Sequence, residues 1–295
     1  MSKKKKLFTL FLALTVVFTM CFAAVPAYAA SGTAITNADE LKAMSANGNY
    51  YLANDIEVPA NLILFTSYDA PFTGTLDGNG HTIKGYTYTA SADWTEQAAL
   101  FGYAKNATFK NLKMTEVNIS LNQAGTAAAL VAASENCKFT DIRVSGKIVG
   151  KSLSTAAGIV AYSYEGGTLT NCKNSADITI TNADEGSEAA GVAGFIGSAG
   201  SMKNCSNSGK ISISGSIEAA SISAAGVVLS VGKTTSCKNS GTISVSAIGN
   251  GSMNDECIAA GVAVEVETAV SCSNTGKISM NATVEAVDPH RVGGV

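Results

Sequence analysis

The chain has 295 residues, of which 46% are apolar, 7% aromatic and 15% charged, with a formal net charge of −3. This profile argues against disorder, which goes with high charge and few β-branched residues, and against a helical bundle, which needs Leu-rich seams between charged faces. The 29 glycines follow no three-residue period, which excludes collagen, and two arginines, Arg143 and Arg291, are too few for nucleic-acid binding.

Residues 1–29 read as a secretory signal peptide. Lys3 to Lys6 form a positive start, an apolar run follows from Leu7 to Val25, and Ala27-Tyr28-Ala29 supplies small residues at a cleavage site. An uncleaved anchor is the alternative, because about nineteen apolar residues approach bilayer length. Met20 argues against lipid attachment at Cys21. Cleavage after Ala29 predicts a secreted or cell-surface chain with no membrane span. It leaves 23 acids against 16 bases, a net charge of −7 that disfavours anionic partners.

Residues 30–60 read as an N-terminal cap. Asn37-Ala-Asp-Glu40-Leu41-Lys-Ala-Met44 predicts a short helix with a capping box from Asn37 to Glu40, covering the first edge of a stacked array. Leu76-Asp77-Gly-Asn-Gly-His81-Thr-Ile83 predicts a tight turn leading into a strand. Asp77 and His81 could pose as a catalytic pair, but Asp in such a turn ordinarily bonds its own backbone. Tyr86, Tyr88, Trp94 and Phe101 cluster nearby. As exposed rings they would make a glycan-binding platform; the plainer reading is a loop packing its aromatics onto the first coils.

Residues 61–295 read as repeats. Cys137, Cys172, Cys205, Cys237 and Cys272 are spaced 35, 33, 32 and 35 residues apart, and Ala-Ala-Gly-Val or Ala-Ala-Gly-Ile recurs from Ala156, Ala189, Ala224 and Ala259. Two motifs sharing one period mark a stacked repeat. Alternating runs such as Ile178-Thr-Ile180 and Ile211-Ser-Ile213 are strands with one apolar face. Three short strands per unit, with no stretch of helical length, predict an all-β, right-handed, three-sided parallel β-helix. Asn174, Asn207, Asn239 and Asn274, each two residues after a cysteine, predict a ladder of turn asparagines. Leu112 aligns with the cysteines one coil before Cys137, so they form a buried apolar ladder; disulfides are the secreted-protein alternative. Cys257, off the ladder, reads as the reactive thiol. The end at Arg291-Val-Gly-Gly294-Val295 falls within a strand of a new coil, which predicts end-to-end self-association through an open edge.

The leader, the segment "NADELKAM…GNYYLANDIEV", the turn "FTGTLDGNGHTIKG" and units of the form "AAGxV…NCxNSGxI" resemble secreted bacterial β-helix proteins with GLUG-type repeats. The resemblance implies an extracellular or surface-exposed, often adhesin-like protein, and transfers no catalytic residue.

No catalytic, metal or cofactor residue is assigned. His81 and His290 lack a nucleophile partner, and no C-x₂₋₄-C pair suits zinc. Asp184-Glu185 and Asp255-Glu256 sit at non-equivalent loop positions. The function that follows is a structural and adhesion module without catalysis, partnered by an extracellular glycan or a host or surface protein. The alternatives are a polysaccharide lyase or hydrolase, and a carbohydrate-binding module using Tyr86, Tyr88 and Trp94.

Overall fold

The computed structural model describes residues 31–90, 96–122, 124–183, 186–217, 221–249, 256–283 and 291–293. Residues 1–30, Trp94, Asp184, Glu185, Asp255, His290 and Gly294 lie outside them.

Period-two alternation builds the strands. In Asp177–Ala183, Ile178 and Ile180 are buried and Thr179 is half-buried. The same residues continue coil after coil: Ile148, Ile178, Ile211, Ile243 and Ile278 stand in one parallel register. Stacking identical apolar side chains lets each coil bury its face on the next. The strands form three parallel sheets, a parallel β-helix. Sheet A contains Val131–Thr140 and Val160–Thr170, sheet B contains Arg143–Lys151 and Asp177–Ala183, and sheet C contains Thr155–Ala157 and Glu188–Ala190. One coil therefore runs from sheet C through sheet A to sheet B.

The interior changes along the axis. The first coils are filled by rings, with Phe72, Phe101, Phe109 and Phe139 at centroid separations of 5.0–5.3 Å in sequence. Leu169 and Met202 take over in the same register. The segment 30–60 belongs to these sheets as well: Thr33–Ile35 and Asn49–Leu52 join sheet A, and Ile56–Glu57 joins sheet B. Between them lies the helix Ala38–Lys42. Asn37 Oδ1 accepts from the N–H groups of Asp39 and Glu40, while Glu40 reaches past Asn37 and accepts from the Thr36 N–H at 2.6 Å. The box thus closes one residue earlier than its spacing predicts.

The asparagines form a continuous chain across the coils. Asn174 Nδ2 donates to Asn207 Oδ1 at 2.9 Å, Asn207 to Asn239 at 3.0 Å and Asn239 to Asn274 at 2.8 Å. Each also bonds the backbone two residues on, so Asn174 Oδ1 accepts from the Ala176 N–H and Nδ2 donates to the Ala176 carbonyl. Asn174, Asn207 and Asn239 are buried with their hydrogen bonds satisfied.

The cysteine alignment needs a correction. Register pairs Arg143 with Lys173 and Lys113 with Arg143, so Leu112, Ile142 and Cys172 share one slot. Cys137 pairs with Gly167 and stands outside the row of Cys172, Cys205, Cys237 and Cys272. The step from Arg143 to Lys173 is 30 residues, against 33 from Lys173 to Ser206, and a register irregularity lies between Glu135 and Cys137. Because that coil is short, a cysteine ahead of the Ile142 slot fell close to one apparent period before Cys172. Burial pushes the Cys137 thiol up to about 11. Cys257 is also corrected: its side chain is fully buried, so it is no reactive surface thiol. Cys272 is the partly exposed cysteine.

Candidate functional site

The chain turns sharply after each Ala-Ala pair, and the turn creates an external elbow between sheets C and A. The first alanine of each pair, such as Ala127 and Ala156, joins the main core. The second belongs to a separate cluster, Ala99, Ala128, Ala132, Ala157 and Ala161, against which Tyr162 packs. Small side chains let the two sheets approach, and aromatic rings from sheet A cover them. Register aligns Tyr103, Ala133, Tyr162, Phe195, Ser230 and Glu265 on the sheet A side. On the sheet C side it aligns Gln97, Thr126, Thr155, Glu188 and Ser223.

The two rows bond across the elbow. Gln97 Nε2 donates to Tyr103 Oη at 2.9 Å, and the hydroxyls of Thr155 and Tyr162 lie 2.5 Å apart. Tyr162 stacks on Phe195 with centroids 5.4 Å apart and planes 7° apart, and on Tyr164 at 5.9 Å and 3°. Tyr164 is 55% exposed, as is Tyr68 at 64%, whose ring meets Tyr103 edge-on. Further along, burial raises the Glu188 carboxyl to about 7, with Thr155 opposing the shift and the Glu265 carboxylate adding to it.

At its first coils the elbow opens into a cleft of about 560 Å³, within the range of ligand sites. Its walls are Tyr88, Gln97, Tyr103, Thr66, Thr126 and Ser154, with Ile63, Gly102 and Gly125. Gly102 allows the segment around Phe65 to run alongside, since a β-carbon there would lie 3.0 Å from the Phe65 carbonyl oxygen. None of these wall residues carries an ionisable carboxylate, amine or imidazole, so the cleft offers hydroxyl, amide and ring faces.

The residues singled out from the sequence fall differently. Tyr86 is fully buried and Tyr88 is 8% exposed, so these two rings form no open platform; the strand Thr87–Thr89 carries Tyr88 inward against the core. Tyr88 still contributes to the cleft wall. Trp94 lies outside the described residues, in the segment joining Thr87–Thr89 to Glu96–Ala98. Asp77 and His81 are not paired. Asp77 accepts from the Asn79 N–H at 2.8 Å and Asn111 Nδ2 at 3.0 Å and meets Lys110 at 3.0 Å, whereas His81 Nδ1 faces Asp55 at 3.5 Å. Burial opposes ionisation of Asp77, yet Asn111, the Asn79 N–H and Lys110 together hold it below the usual carboxylate range.

Sequence reading missed Gln97, Tyr103, Tyr162 and Phe195. Their signal was present: an aromatic stands two residues after the core residue in Phe101-Gly-Tyr103, Val160-Ala-Tyr162 and Ala193-Gly-Phe195.

No protein-family model matches the chain, and no curated protein matches it. A crystal structure described as that of a "putative immunoglobulin A1 protease" from Bacteroides ovatus is similar in fold, with a TM-score of 0.55 and 18% sequence identity over 90% of this chain and 84% of that one. The likeness is one of fold.

Proposed function

We propose that this chain is a non-catalytic adhesion module, secreted or held at a bacterial cell surface, that binds neutral carbohydrate in the elbow cleft. One observation carries the reading: a cleft of about 560 Å³ whose walls combine the rings of Tyr88 and Tyr103 with the amide of Gln97 and the hydroxyls of Thr66, Thr126 and Ser154. Rings supply apolar faces for sugar C–H groups, while amide and hydroxyl groups exchange hydrogen bonds with sugar hydroxyls. Described wall residues without charge suit neutral sugars. The Lys-rich, apolar leader supports an extracellular location, and the likeness to GLUG-type surface proteins agrees with it. The test is binding to an array of neutral glycans, followed by calorimetry on the best ligand. Tyr103→Ala should weaken binding about tenfold, roughly 1.4 kcal/mol, and Gln97→Ala by a similar factor. Wild-type protein that binds no neutral glycan, or variants that bind as wild type does, would overturn the reading.

A second reading rests on Glu188. Burial holds this carboxyl at about 7, as a general acid for glycoside hydrolysis requires. Glu265 stands two coils further along the elbow, about 10 Å along the axis, as the second carboxylate. Reducing-end release from neutral polysaccharides, abolished in Glu188→Gln, would favour it over simple binding.

A further inference from the structure

A net charge of −7 after residue 29 predicts poor affinity for anions, but the fold does not spread that charge evenly. Sheet A ends and sheet B begins along one edge of the coil. Register there lines up Lys113, Arg143, Lys173, Ser206, Lys238 and Ser273 in a single row. In the coil where this row holds Ser206, Lys203 and Lys210 flank it on the same edge. Lys138 and Lys233 share a second row on the sheet A side. Lys147 stands in a third, on sheet B, opposite Asp177. Lys277 extends the edge into the next coil, immediately before Ile278.

The register-equivalent stretches 108–118, 138–147, 168–177, 201–210, 233–242 and 268–277, one per coil, contain eleven Lys and Arg and three acids, Glu116, Asp141 and Asp177. Every coil contributes at least one base. The rest of the chain after residue 29 holds five bases and 20 acids. Ten of the eleven bases are exposed; the remaining one, Lys110, is half-buried and meets Asp77. Among the described residues no other base of this edge has a carboxylate within salt-bridge distance. By contrast Lys42 and Lys105, outside these stretches, are paired with Asp39 and Glu135, and Lys84, one coil before the first of them and in register with Thr115, is paired with Asp55.

We infer that this edge binds a linear anionic polysaccharide carrying about one carboxylate, sulfate or phosphate group per sugar. The charges form a line, and coils stack at ~4.8 Å, so six coils span ~24 Å. That step is close to the advance of one sugar in an extended chain. Ten of the eleven bases are lysines, whose ammonium groups act as point charges and need no planar partner. The aromatic residues of these stretches, Phe109 and Phe139, are buried, so nothing here stacks on nucleic-acid bases. A narrow line also fits a single polymer better than a planar lipid surface. The edge is separate from the elbow, so cleft and edge would hold different ligands.

The purified protein should bind immobilised dextran sulfate, polygalacturonate or poly(glycerol phosphate)-substituted glycan, and not neutral dextran, with affinity falling between about 50 and about 200 mM salt. The three polymers show which anionic group is preferred. The exposed triple variant Arg143→Gln, Lys173→Gln, Lys238→Gln should bind about tenfold more weakly with a shallower salt dependence, at an unchanged melting temperature. The control Lys42→Gln, Lys105→Gln, Lys151→Gln, all outside these stretches, should bind as wild type does. No binding to any of the three polymers at low salt, or equal loss in both triples, would overturn the inference. Tighter binding to phosphatidylglycerol vesicles or single-stranded DNA than to every polysaccharide would overturn it too.

Discussion

Gly158 and Asn174 occupy one another's space: a β-carbon on Gly158 would lie 2.5 Å from Asn174 Cγ and 2.6 Å from its Oδ1. The pairing recurs where Gly226 meets Asn239, whose Cγ would again be 2.5 Å from an added β-carbon. The Ala-Ala-Gly motif and the asparagine motif are therefore two halves of one device. The glycine leaves room for a buried amide, and the amide closes a turn and bonds the next coil.

Gly226→Ala should destabilise the fold by about 2 kcal/mol or more, since a β-carbon there would lie 1.9 Å from the Gly261 carbonyl oxygen of the next coil as well as 2.5 Å from Asn239 Cγ. Asn207→Ala should cost a similar amount, about 2 kcal/mol, because the facing amides of Asn174 and Asn239 lose a partner in a buried site. Denaturant melts of both variants check this. A loss below that of a half-buried, outward-facing Ser212→Ala control would show that the ladder carries little.

Strand facing predicts an asymmetry between neighbours. Ile211→Asp or Ile243→Asp should unfold several coils, since both side chains are fully buried in the shared core. Thr179→Asp and Ser212→Asp, half-buried on the outer face, should retain the wild-type circular dichroism and melt within about 1 kcal/mol of it.

Among the described residues Tyr86 is the largest fully buried side chain, and its hydroxyl has no hydrogen-bond partner there. Burial raises the phenol well above its ordinary value. Replacing it by Phe removes the unsatisfied group without opening a cavity, so Tyr86→Phe should stabilise the protein by about 1 kcal/mol. A destabilised variant would reveal a partner for this hydroxyl.

Glu188 gives a pH dependence with a definite sign. Its folded value, about 7, lies above the ordinary 4.5, so the folded state holds a proton that the unfolded chain releases. Its contribution is fully present below pH 4.5 and fades as pH rises through about 7. Glu188→Gln should therefore gain stability relative to wild type as pH rises from about 4.5 to 8. Thermal melts across that range measure the difference, and a gap that does not widen with pH would refute it.

Thiol chemistry should single out one cysteine. Cys172, Cys205 and Cys237 are fully buried; contact with Cys172 and burial hold Cys205 well above the ordinary thiol range, with Cys237 opposing, and contact with Cys205 and burial do the same for Cys237. A maleimide should label Cys272 first in native protein, with the others reacting only in denaturant; mass spectrometry of the labelled peptides reads the order.

Repetition made the scaffold legible. Ile211 and Ile243, or Asn207 and Asn239, recur at one offset, and only in-register stacking of parallel strands lets the same side chain serve the same role each time. The inward or outward facing of each residue follows from the two-residue period of a strand, a local property. Cys137 was misplaced because coil length is not local: the coil from Arg143 to Lys173 is 30 residues, shorter than its successor at 33, so Cys137, which precedes the slot of Ile142, still falls near one period before Cys172. The elbow was likewise hidden, since Gln97 and Tyr103, or Thr155 and Tyr162, meet across a bend whose angle depends on how closely two sheets pack over Ala157 and Ala161. The same holds for charge. Summed along the chain it is negative, yet stacking collects Lys113, Arg143, Lys173 and Lys238 into one line, because the coil returns to the same edge at every turn.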